Sequence, residues 1–280
     1  GDRRASEASL KYVIYGGVAS GVMVFGMSYL FGLTRTTDLG QIAAQIQNLG
    51  LGTDVATKLT LVLAVVFVTA GIGYKVAAVP WHMWCPDVYE GAPTVFTTFL
   101  SVGPKAAGFA MALRFFYTAF ATPAAADGFA TAVAGIPWTA VIGVLSAVTM
   151  TLGNLTALGQ NNLKRLLAYS SIAHAGYMLM GVAALSEMGK QSVMLYMLIY
   201  LVMNVGAFVV VILVAEATGS ESILDYRGLS RRMPLAAFTT AAPMNKRTID
   251  DDLKALLAAD PGMERWIPGK ELGLRTPGIV

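Results

Sequence analysis

The sequence predicts an all-α, polytopic transmembrane helix bundle. Of 280 residues, 55% are hydrophobic, and the mean hydropathy is +0.60. Charged residues make up 13%, about half the ~25% of a soluble domain. Apolar runs of about 20 residues, the length that crosses a bilayer core, recur along the chain. They are continuous rather than alternating, and in lipid only helices or closed barrels satisfy the backbone.

Six spans follow in order: 10–31, 59–79, 94–120, 138–158, 163–185 and 193–215. Residues 1–9 read as a polar stub with no initiator Met and no signal peptide, so a piece cut from a longer protein is expected. The first span carries Gly16, Gly17, Gly21 and Gly26, which suits close helix packing. The connection 34–57 contains LGQIAAQIQNLG, an amphipathic helix at the interface with no functional weight. The segment 80–93, PWHMWCPDVYEGAP, holds Pro80, Pro86 and Pro93, each removing a helical hydrogen bond. Helix is therefore expected to be interrupted between Lys75 and Pro93. The segment reads either as an interfacial aromatic loop or as a broken helix of the kind found at transporter ion sites. Residues 1–237 form the transmembrane domain, and 238–280 a polar, poorly ordered tail.

Basic residues set the orientation. With the N-terminus inside, Arg3, Arg4, Lys11, Lys164, Arg165, Arg227, Arg231 and Arg232 are cytoplasmic, against Arg35, Lys58, Arg114 and Lys190 outside.

The net charge of +3, with no basic stripe and interleaved aromatics, points away from nucleic acid. The single Cys85 excludes an internal disulfide and a cysteine-bound iron–sulfur cluster. His82 and His174 lie on different segments, which disfavours a haem. There is no nucleotide-binding loop or metalloprotease motif. No cofactor or redox centre is expected on this chain.

The candidate chemistry lies in two lysines inside apolar runs, Lys75 and Lys105. A charge at bilayer depth costs roughly 2.5–3.5 kcal/mol on insertion scales and by default marks an ion or proton path. Lysine suits that work because its charge responds to burial and to neighbouring cations. Lys75 stands four residues from the apolar end at Val79, so reaching a headgroup remains an alternative for it. Lys105 is the only charged residue between Glu90 and Arg114, in a largely apolar run.

Three strings, KVAAVPWHMWCPDVYEGAP, FLSVGPKAAGFAMALRFF and GNLTALGQNNLKRLLAYSSIAHAGYMLMG, strongly resemble the antiporter-like membrane subunit N of bacterial NADH–quinone oxidoreductase, respiratory complex I. The mitochondrial equivalent is subunit 2. The resemblance covers residues 3–237. It implies a proton-translocating subunit of the bacterial inner membrane, coupled to quinone reduction elsewhere in the complex. It also implies other membrane subunits as partners, with NADH and quinone used by the parent complex rather than bound here. Lys75 matches the lysine of the family's first broken helix, and Lys105 the lysine of the helix that follows. His174, in SSIAHAGY, matches a position near the polar axis, though a packed histidine is an equal alternative. The carboxylate partner of the first lysine belongs on the helix before this chain's first, so Glu7, read as part of a polar turn, is not that group. The family's second broken helix is absent, which makes this a partial antiporter-like fold with one interrupted helix. Two other readings stay open: a cation/proton antiporter subunit of the same superfamily, and a non-functional truncated remnant.

Overall fold

Helices dominate because every backbone group in an apolar run must find its partner within the run. The computed structural model describes residues 3–49, 55–122, 129–133 and 136–226. Among them the helices are α1 (Arg3–Thr34), α2 (Leu39–Asn48), α3 (Val55–Val76), α4 (Trp84–Gly91), α5 (Thr94–Ala119), α6 (Trp138–Leu158), α7 (Leu163–Ala183) and α8 (Glu187–Thr218). A 3₁₀ turn, Ile223–Tyr226, follows. The expected tail 238–280 lies outside the described residues, as do Arg227, Arg231 and Arg232.

Five helices, α1, α3, α6, α7 and α8, are long and apolar enough to cross a membrane. The remaining predicted span is α5, whose 26 residues extend about 39 Å. Lys105, Arg114 and several threonines lower its hydropathy, yet it packs between α3, α7 and α8.

The predicted boundaries hold within a turn or two, with one correction. The polar stub is helical from Arg3, so Glu7 belongs to α1 rather than to a turn. Its carboxylate pairs with Lys11 at 2.7 Å, one turn on, a spacing that supports helix. Elsewhere, side-chain caps set the starts. Asp38 accepts from the Gln41 amide, Asn162 from Arg165 and Ser186 from Gly189. Gly219, at φ 70°, ends α8 in the left-handed conformation that glycine adopts without penalty.

Helix is interrupted after Val76, as the prolines predict. Ala77 turns to φ 61°, and the Val79–Pro80 peptide is cis. Buried backbone groups freed at the break find partners. The Val79 amide donates to Thr149 Oγ1 of α6 at 3.0 Å, and the Trp84 indole donates to the Tyr74 carbonyl at 3.1 Å. Trp81 folds back onto Gly73, where a Cβ would stand 2.5 Å from its ring. Trp84, Cys85 and Tyr89 are buried, while Pro80 and Met83 are exposed, so the segment packs one side into the bundle.

Small residues let helices approach closely, but not all of those expected. In α1, Gly26 meets the backbone of α3 and Gly16 meets Tyr74, whereas a Cβ on Gly17 or Gly21 would touch nothing within 4 Å. The tightest pairing is α6 on α7. A Cβ on Gly153 would stand 2.6 Å from the Ala173 nitrogen, and one on Gly176 2.6 Å from the Met150 nitrogen. The 34–57 connection contains α2 as expected, and its Ile42 and Ile46 are buried against the bundle.

Candidate functional site

Lys105 sits in the middle of α5 and is fully buried. Pro104 precedes it inside the helix. Its ammonium donates to two acceptors on one residue of α7: the Ser171 carbonyl at 2.6 Å and Ser171 Oγ at 2.5 Å. Bonds from a charged donor are the strong ones, and they offset part of the cost of burying the cation.

Ser171 also gathers groups from the broken helix. The Tyr89 hydroxyl of α4 lies 3.5 Å from Ser171 Oγ. One turn further along α7, His174 is largely buried and its Nδ1 stands 2.6 Å from the Tyr196 hydroxyl of α8. The Tyr200 ring packs 5.4 Å from the His174 ring, and the Tyr200 hydroxyl donates to the Ser101 carbonyl of α5 at 3.3 Å. Hydroxyls, an imidazole and an ammonium thus form a polar strip across α4, α5, α7 and α8. The hydroxyls and the neutral imidazole can each donate and accept, while the ammonium donates.

Lys75 occupies the last turn of α3 and is half-buried. It lines a cavity of about 460 Å³ between α1, α3 and α5, with Tyr12, Ser20, Tyr74 and Gly108 among its neighbours. It has no ion-pair partner among the described residues. Its stem lies against Gly108, one turn beyond Lys105 on α5. The structure therefore puts Lys75 and Lys105 on facing turns of α3 and α5. The Lys105 head reaches to α7, while Lys75 lines the groove between α1, α3 and α5.

One end of the bundle carries an ion-pair cluster. Asp87 accepts from Lys11 of α1 and from Arg165 of α7, each at 2.8 Å. Arg165 also bonds Glu90 at 2.9 Å. Lys164 is buried, pairs with Glu221 at 2.7 Å and donates to the Ala92 carbonyl at 3.1 Å. These contacts bring the start of α1, the end of α4, the start of α7 and the end of α8 to one side, as alternating crossings require.

Of the sequence-predicted residues, Lys105 and His174 share the polar strip, and Lys75 adjoins it through Gly108. Sequence reasoning missed Ser171, Tyr89, Tyr196 and Thr149. The one available signal was the hydroxyl run Tyr169, Ser170, Ser171 followed by His174 one turn later. Among the described residues no cluster of histidine, cysteine or carboxylate has the makings of a metal site.

The chain matches the family described as NADH:quinone oxidoreductase/Mrp antiporter, TM, over residues 1–244. It is 74% identical over 245 residues to the NADH-quinone oxidoreductase subunit N of Anaeromyxobacter sp. (strain Fw109-5), covering 86% of this chain and 47% of that protein. It is 52% identical over 241 residues to subunit N 2 of Sorangium cellulosum (strain So ce56), covering 86% and 46%. Among solved structures, a chain of the archaeal membrane-bound sulfane sulfur reductase superposes with a TM-score of 0.70 at 25% identity, over 86% of this chain and 46% of that one. A chain of respiratory complex I from Thermus thermophilus superposes with a TM-score of 0.60 at 32% identity, over 83% and 45%. The chain spans about half the length of the curated relatives it matches. Over that half it carries their membrane fold, and it belongs to the NADH:quinone oxidoreductase/Mrp antiporter transmembrane family.

Proposed function

We propose that this chain is the proton-conducting core of a subunit N in a membrane NADH–quinone oxidoreductase. It moves protons through the buried lysines Lys75 and Lys105, driven by quinone reduction elsewhere in the complex. Support for the assignment comes from the close similarity to subunit N of two bacteria. The observation that carries the mechanism is the burial of Lys105 in mid-helix with its ammonium on Ser171.

In this reading each lysine is a protonation site. A proton leaves Nζ of one lysine as an N–H bond forms at the other, directly or through an intervening hydrogen-bonded group. His174, bonded to Tyr196, is the candidate next station on the far side of Lys105. The basic residues of the ion-pair end, Lys11, Lys164 and Arg165, face the cytoplasm of a bacterial inner membrane, consistent with the positive-inside rule. NADH and quinone are handled by other subunits, which are this chain's partners.

Reconstituted vesicles containing the assembled complex test the proposal. Lys75→Ala and Lys105→Ala are each expected to lower the protons moved per quinone reduced. Arg114→Ala, which removes an exposed charge from α5, is expected to leave that yield unchanged. Equal yields in all three variants and the parent complex would refute the relay.

A further inference from the structure

We propose that Ser171 is the positioning residue for the Lys105 ammonium, holding it on the α7 side of the bundle and away from Lys75. The inference rests on the relay reading above and adds a part to it.

Three observations carry it. First, the ammonium donates to two acceptors of this one residue, its carbonyl at 2.6 Å and its hydroxyl at 2.5 Å. A helical carbonyl is already an acceptor within its own helix, so the hydroxyl is the acceptor that α7 contributes for this purpose. Second, Ser171 is 1% exposed and Lys105 0%, so water does not compete for either group. A hydrogen bond made in such surroundings is worth more than one in solvent. Third, Lys75 and Lys105 stand on facing turns of α3 and α5, yet the Lys105 head is drawn toward α7. For the two amines to exchange a proton, the Lys105 head must leave Ser171.

Ser171 also touches the broken helix. Its Oγ lies 3.5 Å from the Tyr89 hydroxyl of α4. A hydroxyl has one proton to give and two lone pairs. A shift of α4 that shortens the Tyr89 contact therefore alters what Ser171 offers to Lys105. The serine is placed to pass a movement of the interrupted helix on to the position of the buried charge.

The test is a double-mutant cycle on the assembled complex in vesicles, read as protons moved per quinone reduced. Ser171→Ala removes the hydroxyl and leaves the carbonyl, in a residue that favours helix. It is expected to produce about half or more of the loss caused by Lys105→Ala, because an ammonium no longer drawn to α7 by this bond to a charged group can hand its proton back to Lys75 rather than onward. Ser171→Thr restores the hydroxyl and is expected to recover most of the yield. Lys105→Ala with Ser171→Ala together is expected to match Lys105→Ala alone, because Ser171 acts only through that lysine. Losses that add in the double variant would make Ser171 a packing residue and overturn the proposal. So would a normal yield in Ser171→Ala. A normal yield in Lys105→Ala would instead overturn the relay itself, which separates the two failures.

Discussion

The stem of Lys75 lies against Gly108: a Cβ added there would stand 3.4 Å from Lys75 Cγ and 2.7 Å from Val76 Cγ1. Gly108 is three residues beyond Lys105. The absence of a side chain at this one position lets α3 and α5 close together where each presents its lysine.

Gly108→Ala is therefore expected to push α3 from α5. Val76 is fully buried, so it must shift within the packed interior to make room. Overpacking of this kind costs roughly 1–3 kcal/mol, which should appear as a lower melting temperature in detergent. The proton yield should fall as well, because the Lys75 stem is displaced. An unchanged melting temperature with an unchanged yield would show that the contact is slack.

The break at the end of α3, the second crossing, depends on a hydroxyl from another helix. Thr149→Val preserves shape but leaves the Val79 amide without its 3.0 Å acceptor. A buried amide stripped of its partner costs about 1–3 kcal/mol. Thermal unfolding should register that loss. Stability equal to the parent would mean that the Val79 amide finds another acceptor.

At the charged end, Asp87 joins two helices to α4, while Glu90 joins one. Asp87→Ala should loosen α1 and α7 from α4 more than Glu90→Ala does. Both effects are modest, because partly exposed ion pairs contribute about 1 kcal/mol or less. Lys11 keeps Glu7, and Arg165 keeps Glu90, when Asp87 is lost. Proteolysis or disulfide-trapping rates between α1 and α4 would rank the two variants. A larger effect from Glu90→Ala would reverse the assignment of Asp87 as the joint.

The helices were legible because an apolar run of membrane length has few other options. The spans 94–120 and 138–158 match α5 and α6 within a residue. Boundaries failed where charge misled, as at residues 3–9, whose polar character hid a helix supported by the Glu7–Lys11 pair. The interruption near Pro80 was legible in the prolines, but not its burial. That depends on Thr149, which lies 70 positions along the chain. Lys105 was legible because a cation flanked by apolar sequence is rare. Ser171 was not: a serine in a helix carries no mark until the fold brings Lys105, 66 positions away, onto its oxygen. Lys75 was half legible. Its position in the last turn of α3 was readable, but its place in a groove lined by α1 came from the packing of Gly16, Gly71 and Gly108.

The most direct test of the central claim, that Lys105 carries a proton and not merely a charge, is proton translocation by Lys105→Arg beside Lys105→Ala. Arginine keeps the positive charge and can donate to Ser171, but it holds its proton at any accessible pH. Vesicles containing each variant complex would be scored for protons moved per quinone reduced. The account predicts that both variants are impaired and that arginine rescues little of the alanine loss. A normal yield in Lys105→Arg would mean that a fixed charge suffices at this position, and the relay through Lys105 would be contradicted.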